Sequence, residues 1–522
     1  MIGTWVSILP PVIAIVMVLV TRRVLLSLGA GILTAALLIA EFAPIETLKG
    51  VFTALTISFW DDGLNTYNIF IMLFLLLLGV ITAFVSLSGG SAAFARWAVT
   101  RIRTKRGAKL LTMILGIAIF VDDYFNALAV GQIARPITDQ HKISRAKLAY
   151  FIDSTSAPIC VVSPISSWGA FLIGQLALIL GTTAAVSYSP LTAFIMMAPM
   201  NFYVIATLSM VFFFAWTNHD FFEMKKHEDR ANQQGHLYDP QKEIPGELKE
   251  EFPEHTYGKV RDLVLPIVTL IFVTLGMMIY TGYVEAGIFD IWAIFENTDV
   301  PKSLVIGGIT ATLLAMFLYV LQMKENETAN ASWMARAFVS GLKAMMPAIL
   351  ILIFAWGLTE LIATLDTGLF LSTMVEQLNI PVAFLPVLIF ILAGLMAFST
   401  GTSWGSFGIL MPIAGTIMVN AAPELLLPAL AAVLAGAVFG DHCSPISDTT
   451  ILSSTGAGCN HMDHVATQLP YALVAASVAA IGYFVLGLTG SVWIGLVAVV
   501  IILIVLFTYW SAKGKRQQSQ TV

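Results

Sequence analysis

The feature that most constrains this chain is a series of long apolar stretches, each close to the length that crosses a bilayer. A helix needs roughly 20 apolar residues to span the hydrocarbon core of a membrane. Only 11% of the 522 residues are charged, whereas a typical soluble domain carries about 25%. A soluble fold of this size could not hide so much apolar surface, but lipid can cover it. The sequence therefore predicts an all-α polytopic membrane protein.

Eleven of these stretches have the length and apolar content of membrane-spanning helices. They cover residues 4–20, 24–40, 69–85, 148–180, 191–216, 263–280, 303–323, 345–365, 426–451, 465–488 and 492–509. Two further stretches, residues 110–137 and 382–418, are longer or interrupted by polar residues. Lys and Arg in short loops mark the cytoplasmic side, and they place both ends of each of these two stretches on one side. We therefore predict about eleven transmembrane helices plus two re-entrant hairpins, although two tight spans fit the same charge pattern.

Segments of the two halves resemble each other, which indicates an internal repeat. Residues 154–170 and 441–457 align so that Pro158 meets Pro445 and Gly169 meets Gly456 at one constant spacing. The loop charges give the two copies opposite orientations, as in the inverted repeats of secondary transporters. The same charges place the N-terminus outside and the C-terminus in the cytoplasm.

The repeat divides the chain into four parts. They are a first membrane repeat at residues 1–216, a cytoplasmic linker loop at 217–262, a second membrane repeat at 263–488, and a last helix with a cytoplasmic tail at 489–522. The mixed charge and low hydrophobicity of the linker favour a solvated connection over a regulatory cap.

Four polar clusters interrupt the apolar background, and they are the candidate functional residues. An ionisable side chain at the centre of a membrane costs at least ~2.5–3.5 kcal/mol, so it is expected to be paired or functional. The clusters are FVDDYFNALAVG, YFIDSTSAPI, FSTGTSWGSFG and GDHCSPISDTT. The candidate cation, proton or substrate ligands in them are Asp122, Asp123, Asn126, Asp153, Ser156, Thr402, Ser403, Asp441, His442, Ser444, Asp448 and Thr449.

The chemistry of these clusters suits a small hard cation. Pro158 and Pro445 lack a backbone donor and disturb a helix in mid-span, which frees carbonyl oxygens. Carbonyls, hydroxyls and carboxylates are the oxygen ligands that hard cations prefer. Competition between a cation and a proton for one carboxylate would couple two flows. Structural roles stay open, because Ser and Thr in membrane helices often bond backbone, and the adjacent Asp122 and Asp123 cannot both point into one site.

The sequence gives less support to three other kinds of site. The segment CNHMDH contains Cys459, His461 and His464, but one Cys and two His favour a solvated turn over a metal site. No HExxH motif, GxSxG elbow or P-loop is present, so the chain is not expected to be an enzyme. No basic patch of the kind that nucleic acid requires is present either.

The longest polar motif carries a family resemblance. The run GDHCSPISDTTILSSTGAGCNHMDHVATQLPYA closely resembles the signature of the NhaC family of Na⁺/H⁺ antiporters, and FVDDYFNALAVGQIARPI and FSTGTSWGSFGILMPIA resemble two further blocks. The likeness covers roughly residues 69–488. It implies a scaffold with elevator-like transport domains, in which two hairpins and two interrupted helices form the site. Members are often dimers, so a homodimer is an implied partner.

These observations together predict a Na⁺/H⁺ antiporter that exchanges cytoplasmic Na⁺ for external H⁺ across a bacterial plasma membrane. The alternative is a Na⁺-coupled carrier of an amino acid or an organic acid, including malate/lactate-type exchange, because some relatives resemble such carriers. A pore is less favoured, since hairpins would enclose the site. The expected partners are the lipid bilayer, Na⁺, H⁺ and, in the alternative, a small solute. No resident cofactor is expected.

Overall fold

The structure is a computed structural model that describes residues 2–21, 23–60, 63–120, 122–164, 166–181, 188–242, 258–323, 330–367, 370 and 381–519. Nearly all of these residues lie in α-helices. In the first half the helices are α1 (Leu9–Thr21), α2 (Val24–Ile39), α3 (Pro44–Thr56), α4 (Thr66–Leu87), α5 (Gly90–Arg101), α6 (Lys105–Ala118), α7 (Asp123–Gln140), α8 (Arg145–Asp153), α9 (Ala157–Cys160), α10 (Ser167–Gly181), α11 (Pro190–Met197), α12 (Phe202–Trp216) and α13 (Phe222–Gln234). In the second half they are α14 (Arg261–Ala286), α15 (Ile291–Glu296), α16 (Val300–Met323), α17 (Ala331–Thr364), α18 (Leu385–Thr400), α19 (Ser403–Ala421), α20 (Leu426–Cys443), α21 (Asp448–Ala457), α22 (His461–Thr489) and α23 (Val492–Ser519).

Within the described ranges, eight helical segments are long and apolar enough to cross a membrane. The bent pair Pro190–Met200 and Phe202–Trp216 makes a ninth if it counts as one span. The predicted all-α polytopic class is therefore confirmed. The total of about eleven spans, the re-entrant course of the hairpins and the inverted repeat stay predictions.

Three of the expected continuous spans are interrupted in the structure. The stretch 191–216 bends by 51° at Asn201, whose side chain caps α12 by accepting a hydrogen bond from the amide of Val204. The stretch 148–180 is divided among α8, α9 and α10, and the stretch 426–451 between α20 and α21. Pro158 and Pro445 lie at or beside these last two breaks, where a missing backbone donor is tolerated.

Both predicted hairpin regions consist of two helices joined by a short connection. In the first, α6 and α7 are separated by residues 119–122, and in the second, α18 and α19 are separated by residues 401–402. Gly401 turns the second connection with a φ of 73°, and a Cβ added there would lie 2.7 Å from the carbonyl oxygen of Ile446. Glycine therefore allows both the left-handed backbone and the close approach to the break between α20 and α21.

The helices pack in two groups. Helices α2, α4, α14, α16 and α17 pack mainly on one another, with α1 and α3 beside α2. Helices α6–α8, α12 and α18–α23 form the second group, which contains all four polar clusters. Helix α17 reaches across to α21, so the second group touches the first at the beginning of α21.

The linker is not a purely solvated connection. Residues 222–234 form α13, in which Met224, Glu228 and Ala231 are buried. Their spacing places them on one face of a helix, and α13 packs against α8 and α22. One Met, one Glu and one Ala in a charged background are a weak sequence signal for burial, which explains the incorrect expectation. Residues 243–257 of the linker lie outside the described residues.

Candidate functional site

Most of the polar residues singled out in the sequence lie at helix ends. Asp122 and Thr402 are the N-caps of α7 and α19, and they accept hydrogen bonds from the amides of Phe125 and Trp404. Asp153 is the last residue of α8, and Asp448 is the first residue of α21. Helix N-termini carry partial positive charge that favours a nearby carboxylate. The N-termini of α7 and α21 therefore direct partial positive charge towards Asp123 and Asp448.

Asp123 and Asp448 form the centre of the candidate site. Asp123 is 3% exposed, and its Oδ1 accepts a hydrogen bond of 3.1 Å from Nε1 of Trp168. Its Oδ2 is buried and has no hydrogen-bond partner among the described residues. Asp448 accepts a hydrogen bond from the hydroxyl of Tyr124, the residue that follows Asp123. One short segment of α7 thus connects the two carboxylates.

The electrostatics of this centre are unbalanced. The charges of Asp122, Asp441 and Asp448 lie close enough to Asp123 to repel it. Within the described part of the chain, neither Asp123 nor Asp448 forms an ion pair with Lys or Arg. Trp356 on α17 lies close to Asp448. Buried carboxylates without a cationic partner are costly, so this arrangement favours a bound cation or proton.

A close helix contact brings α7 and α21 together at this place. A Cβ added to Gly131 would lie 2.4 Å from the carbonyl oxygen of Gly456, and one added to Gly456 would lie 2.5 Å from that of Ala127. Real Cβ atoms do not approach carbonyl oxygens so closely. The two glycines therefore permit the backbone contact that holds Asp123 and Asp448 near each other.

Asp441 is held by donors from two segments. Its Oδ2 accepts hydrogen bonds from the amide and the hydroxyl of Ser403, at 3.0 and 2.7 Å. Its Oδ1 accepts a hydrogen bond of 2.5 Å from Ser447, whose hydroxyl lies 2.9 Å from that of Thr449. Asp441 therefore joins the end of α20 to the start of α19 and to the break before α21.

Asp153 is surrounded by four hydrogen-bond donors. Its Oδ2 accepts hydrogen bonds from His464 (3.0 Å), Gln468 (2.5 Å) and Thr450 (3.3 Å), and its Oδ1 accepts one of 3.1 Å from Ser453. A carboxylate has about four acceptor positions, so these donors occupy the group. The structure thus separates Asp153 from Asp123 and Asp448 as a network of its own.

His442 belongs to the network of Asp153. Its Nε2 lies 3.0 Å from the hydroxyl of Ser154, and its Nδ1 lies 2.7 Å from that of Tyr203. Its main-chain oxygen also accepts a hydrogen bond from Gln468. Both ring nitrogens are therefore occupied by hydroxyl groups, and His442 does not contact the centre at Asp123 and Asp448.

Three other predicted ligands bond mainly to the backbone. The Nδ2 of Asn126 donates to the carbonyl oxygens of Gly116 and Ile119, each at 2.6 Å, which fastens α7 to α6. Ser156 donates to the carbonyl of Asp153 within its own turn. Ser444 donates to the carbonyl of Phe398 at 2.7 Å, and so fixes the break after α20 to α18. These contacts shape the site without entering its centre.

Several residues of the site were not predicted. Tyr124 and Trp168 lie inside or near the polar motifs, yet aromatic residues in membrane helices give no specific signal. His464 lies in a segment that the sequence presented as a solvated turn, and Gln468 lies in the predicted span 465–488. However, His461 is 3% exposed and His464 is completely buried. The expectation of a solvated turn is therefore wrong. In the part of the chain that the structure describes, no group of three or more His, Cys, Asp or Glu side chains could hold a metal ion.

Comparison with known proteins gives consistent matches. A family model described as "Na⁺/H⁺ antiporter family" matches residues 159–488. An uncharacterized protein of Haemophilus influenzae is 47% identical over 504 residues, which are 96% of this chain and 94% of that protein. The malate-2H⁺/Na⁺-lactate antiporter of Bacillus subtilis is 28% identical over 44% of this chain and 45% of its own length. The arginine/ornithine antiporter of Halobacterium salinarum is 34% identical over 21% of this chain and 22% of its own length.

The solved structure of the YdaH transporter of Alcanivorax borkumensis is a further match. It covers 93% of this chain and 99% of its own at 15% identity, with a TM-score of 0.34. The family match, the antiporter relatives and the apolar helices define the chain as a membrane transporter of the secondary antiporter class. It belongs to the Na⁺/H⁺ antiporter family, as the resemblance of its motifs implies.

Proposed function

We propose that this protein exchanges cytoplasmic Na⁺ for external H⁺ across a bacterial plasma membrane. The observation that carries the proposal is the pair of buried carboxylates, Asp123 and Asp448, which have no Lys or Arg partner among the described residues. A site with two uncompensated negative charges favours a small cation. The description of the matching family supports Na⁺ as that cation.

Cation binding is assigned to oxygen atoms at the helix ends. The unpartnered Oδ2 of Asp123 and the carboxylate of Asp448 are the charged ligands. Hydroxyl and carbonyl oxygens at the break before α21 are available as neutral ligands, including the hydroxyl of Thr449. Hard cations favour such oxygen ligands. Burial excludes water, so the loss of Na⁺ leaves charge that a proton must compensate.

The first experiment uses purified protein in liposomes that contain a pH-sensitive dye. A Na⁺ gradient is imposed without an organic solute, and we expect a prompt pH change of the sign required for exchange. Asp448→Asn and Asp123→Asn should each abolish it, because either change removes charge from the cation ligands. Asp299→Asn is the matched control, since it neutralises an exposed helix-capping carboxylate far along the chain. Wild-type rates in both site variants would refute the assignment.

A second candidate function is the exchange of an organic solute that carries an amino group. Trp168, the donor to Asp123, packs in an aromatic cluster with Trp404 and Phe407, in tilted and edge-to-face geometry, at centroid distances of 5.3 and 5.5 Å. Aromatic faces beside carboxylates suit an organic ammonium group, and one relative is named an arginine/ornithine antiporter. Under this alternative, the liposomes respond only when an amino acid is supplied together with Na⁺.

A further inference from the structure

We propose that the exchanged proton binds to Nδ1 of His464, beside Asp153, and not to the carboxylates that bind the cation. This inference rests on the proposed Na⁺/H⁺ exchange and adds a separate proton site to it. His464 lies in the first turns of α22, and its side chain is completely buried.

The hydrogen bonds of His464 fix which nitrogen is free. Its Nε2 lies 3.0 Å from Oδ2 of Asp153, and a carboxylate that faces an imidazole nitrogen requires a hydrogen on that nitrogen. In the neutral ring, Nδ1 then carries a lone pair. That atom is buried and has no hydrogen-bond partner among the described residues. A proton that binds there converts this hydrogen bond between a neutral imidazole and a carboxylate into an ion pair with Asp153.

A second unfilled acceptor lies in the same cluster. Gln468 is one helical turn after His464, and its Nε2 donates to the same Oδ2 of Asp153 and to the carbonyl of His442. Because both partners are acceptors, the amide orientation is fixed. The Oε1 of Gln468 is therefore left buried without a donor. The cluster therefore contains two buried acceptors without a donor among the described residues, and of these only Nδ1 of His464 can take up a proton.

Other histidines in this region do not share this deficit. His461 contacts the carbonyl of Pro445 through Nε2 at 2.9 Å and the hydroxyl of Ser454 through Nδ1 at 3.3 Å. His442 has hydroxyl partners on both nitrogens. His464 is thus distinguished from two equally buried neighbours by its unfilled nitrogen.

The surroundings of His464 contain few charges. Helix α21 presents only hydroxyl groups to Asp153, from Thr450 and Ser453. The titratable or charged groups on the elements that pack there include Asp153 and Tyr150 on α8, Tyr203 on α12, Asp441, His442 and Cys443 on α20, His461 and Asp463 on α22, and His227, Arg230 and Lys242 in the linker. Asp463 is paired with Lys242. Asp153 is therefore the charge that stabilises a protonated His464.

Helix α21 connects the proton site to the cation site. Its first residue, Asp448, belongs to the cation site, and its next turn donates to Asp153. A cation at Asp448 and a proton at His464 would place two positive charges in one buried region, where they repel each other more strongly than in water. Each positive charge therefore weakens the binding of the other, and this antagonism is the requirement for exchange.

The test compares His464→Gln with His461→Gln in liposomes. Glutamine retains an N–H donor for Asp153 but has no nitrogen that accepts a proton. We expect His464→Gln to keep the exchange of radioactive Na⁺ for unlabelled Na⁺ and to lose Na⁺-driven proton flux together with its pH dependence. His461→Gln should keep both activities. An unchanged pH profile in His464→Gln, or equal loss of both activities, would overturn the proton site.

Infrared difference spectra of the wild-type protein give a second measurement that needs no variant. On addition of Na⁺, we expect bands of an imidazolium that becomes neutral. Loss of a carboxylic acid band without an imidazole change would place the proton on a carboxylate and refute this inference alone. The absence of any Na⁺-dependent proton flux in the wild-type protein would instead refute the proposed function, and the proton site with it.

Discussion

The docking of the linker on the membrane core gives a prediction about stability. Lys147 on α8 places Nζ 2.6 and 2.7 Å from the two carboxylate oxygens of Asp220, which precedes α13. The two side chains are only 1% and 6% exposed. Removal of one partner from a buried ion pair leaves an uncompensated charge and costs about 3–5 kcal/mol. We therefore expect Asp220→Asn to reduce the free energy of unfolding by roughly that amount.

The size of the thermal shift follows from this free energy. One kcal/mol lowers Tm by about 2–4 °C in chains of 150–250 residues and by less in longer ones. Asp220→Asn should therefore lower Tm in detergent by several degrees. The assay is thermal unfolding followed by tryptophan fluorescence at neutral pH.

A double variant separates lost charge balance from lost shape. Lys147→Met together with Asp220→Leu removes both charges at similar volume, and such replacements are often neutral or stabilising by about 1–4 kcal/mol. Lys226→Met is the control for loss of an exposed lysine, because its pair with Glu223 is mostly solvated and contributes about 0–1 kcal/mol. The reasoning would be refuted if Asp220→Asn left Tm unchanged, or if the double variant were as unstable as the single one.

Three further predictions concern the site and the linker. Gly456→Ala should push α21 from α7 at a cost of about 1–3 kcal/mol and abolish Na⁺ flux, whereas Gly408→Ala, which meets no atom within 4 Å, should leave both stability and flux unchanged. Trp168→Phe removes the hydrogen bond to Asp123, which is worth about 1.5–3 kcal/mol at a charged group, so the carboxylate should bind Na⁺ more tightly. The Na⁺ concentration at half-saturation and the maximum rate of exchange should both fall. An unchanged dependence of the rate on Na⁺ concentration would contradict this. Burial opposes the charge of Glu228, but Lys147 and Lys105 outweigh burial and lower its pKa. The contribution of Glu228 to folding stability is therefore present above its ordinary pKa and is lost as the pH falls through the lowered value. Hydrogen exchange of α13 should accelerate in acid, and Glu228→Gln should remove that acid-dependent step.

The sequence predicted the helical class and the residues of the centre because both depend on local composition. Long apolar runs require lipid whatever their order, and an aspartate in such a run is costly wherever it lies. Asp123 and Asp448 could therefore be selected one at a time. Their contact through Tyr124 could not be predicted from one sequence, since it joins positions that are distant along the chain.

The network of Asp153 shows the same limit more clearly. Its four donors lie on α21 and α22, far along the chain, and each donor is an ordinary polar residue. From the sequence alone, Asp153 could be a cation ligand as easily as a hydrogen-bonded anchor. The decision depends on how many acceptor positions are filled, which only the packed structure reveals. His464 was overlooked for a related reason, because burial of a polar segment depends on the helices around it.

The position of Asp448 has a consequence for conformational change. It accepts a hydrogen bond from Tyr124 in one group of helices and lies close to Trp356 in the other. If transport requires one group to slide along the other, the contact with Trp356 must break while the bond to Tyr124 is kept. Asp448 would then hold the two groups together until that contact is released. A covalent crosslink between α17 and α21 should hold the protein on one side of its cycle, with Na⁺ bound but not transported.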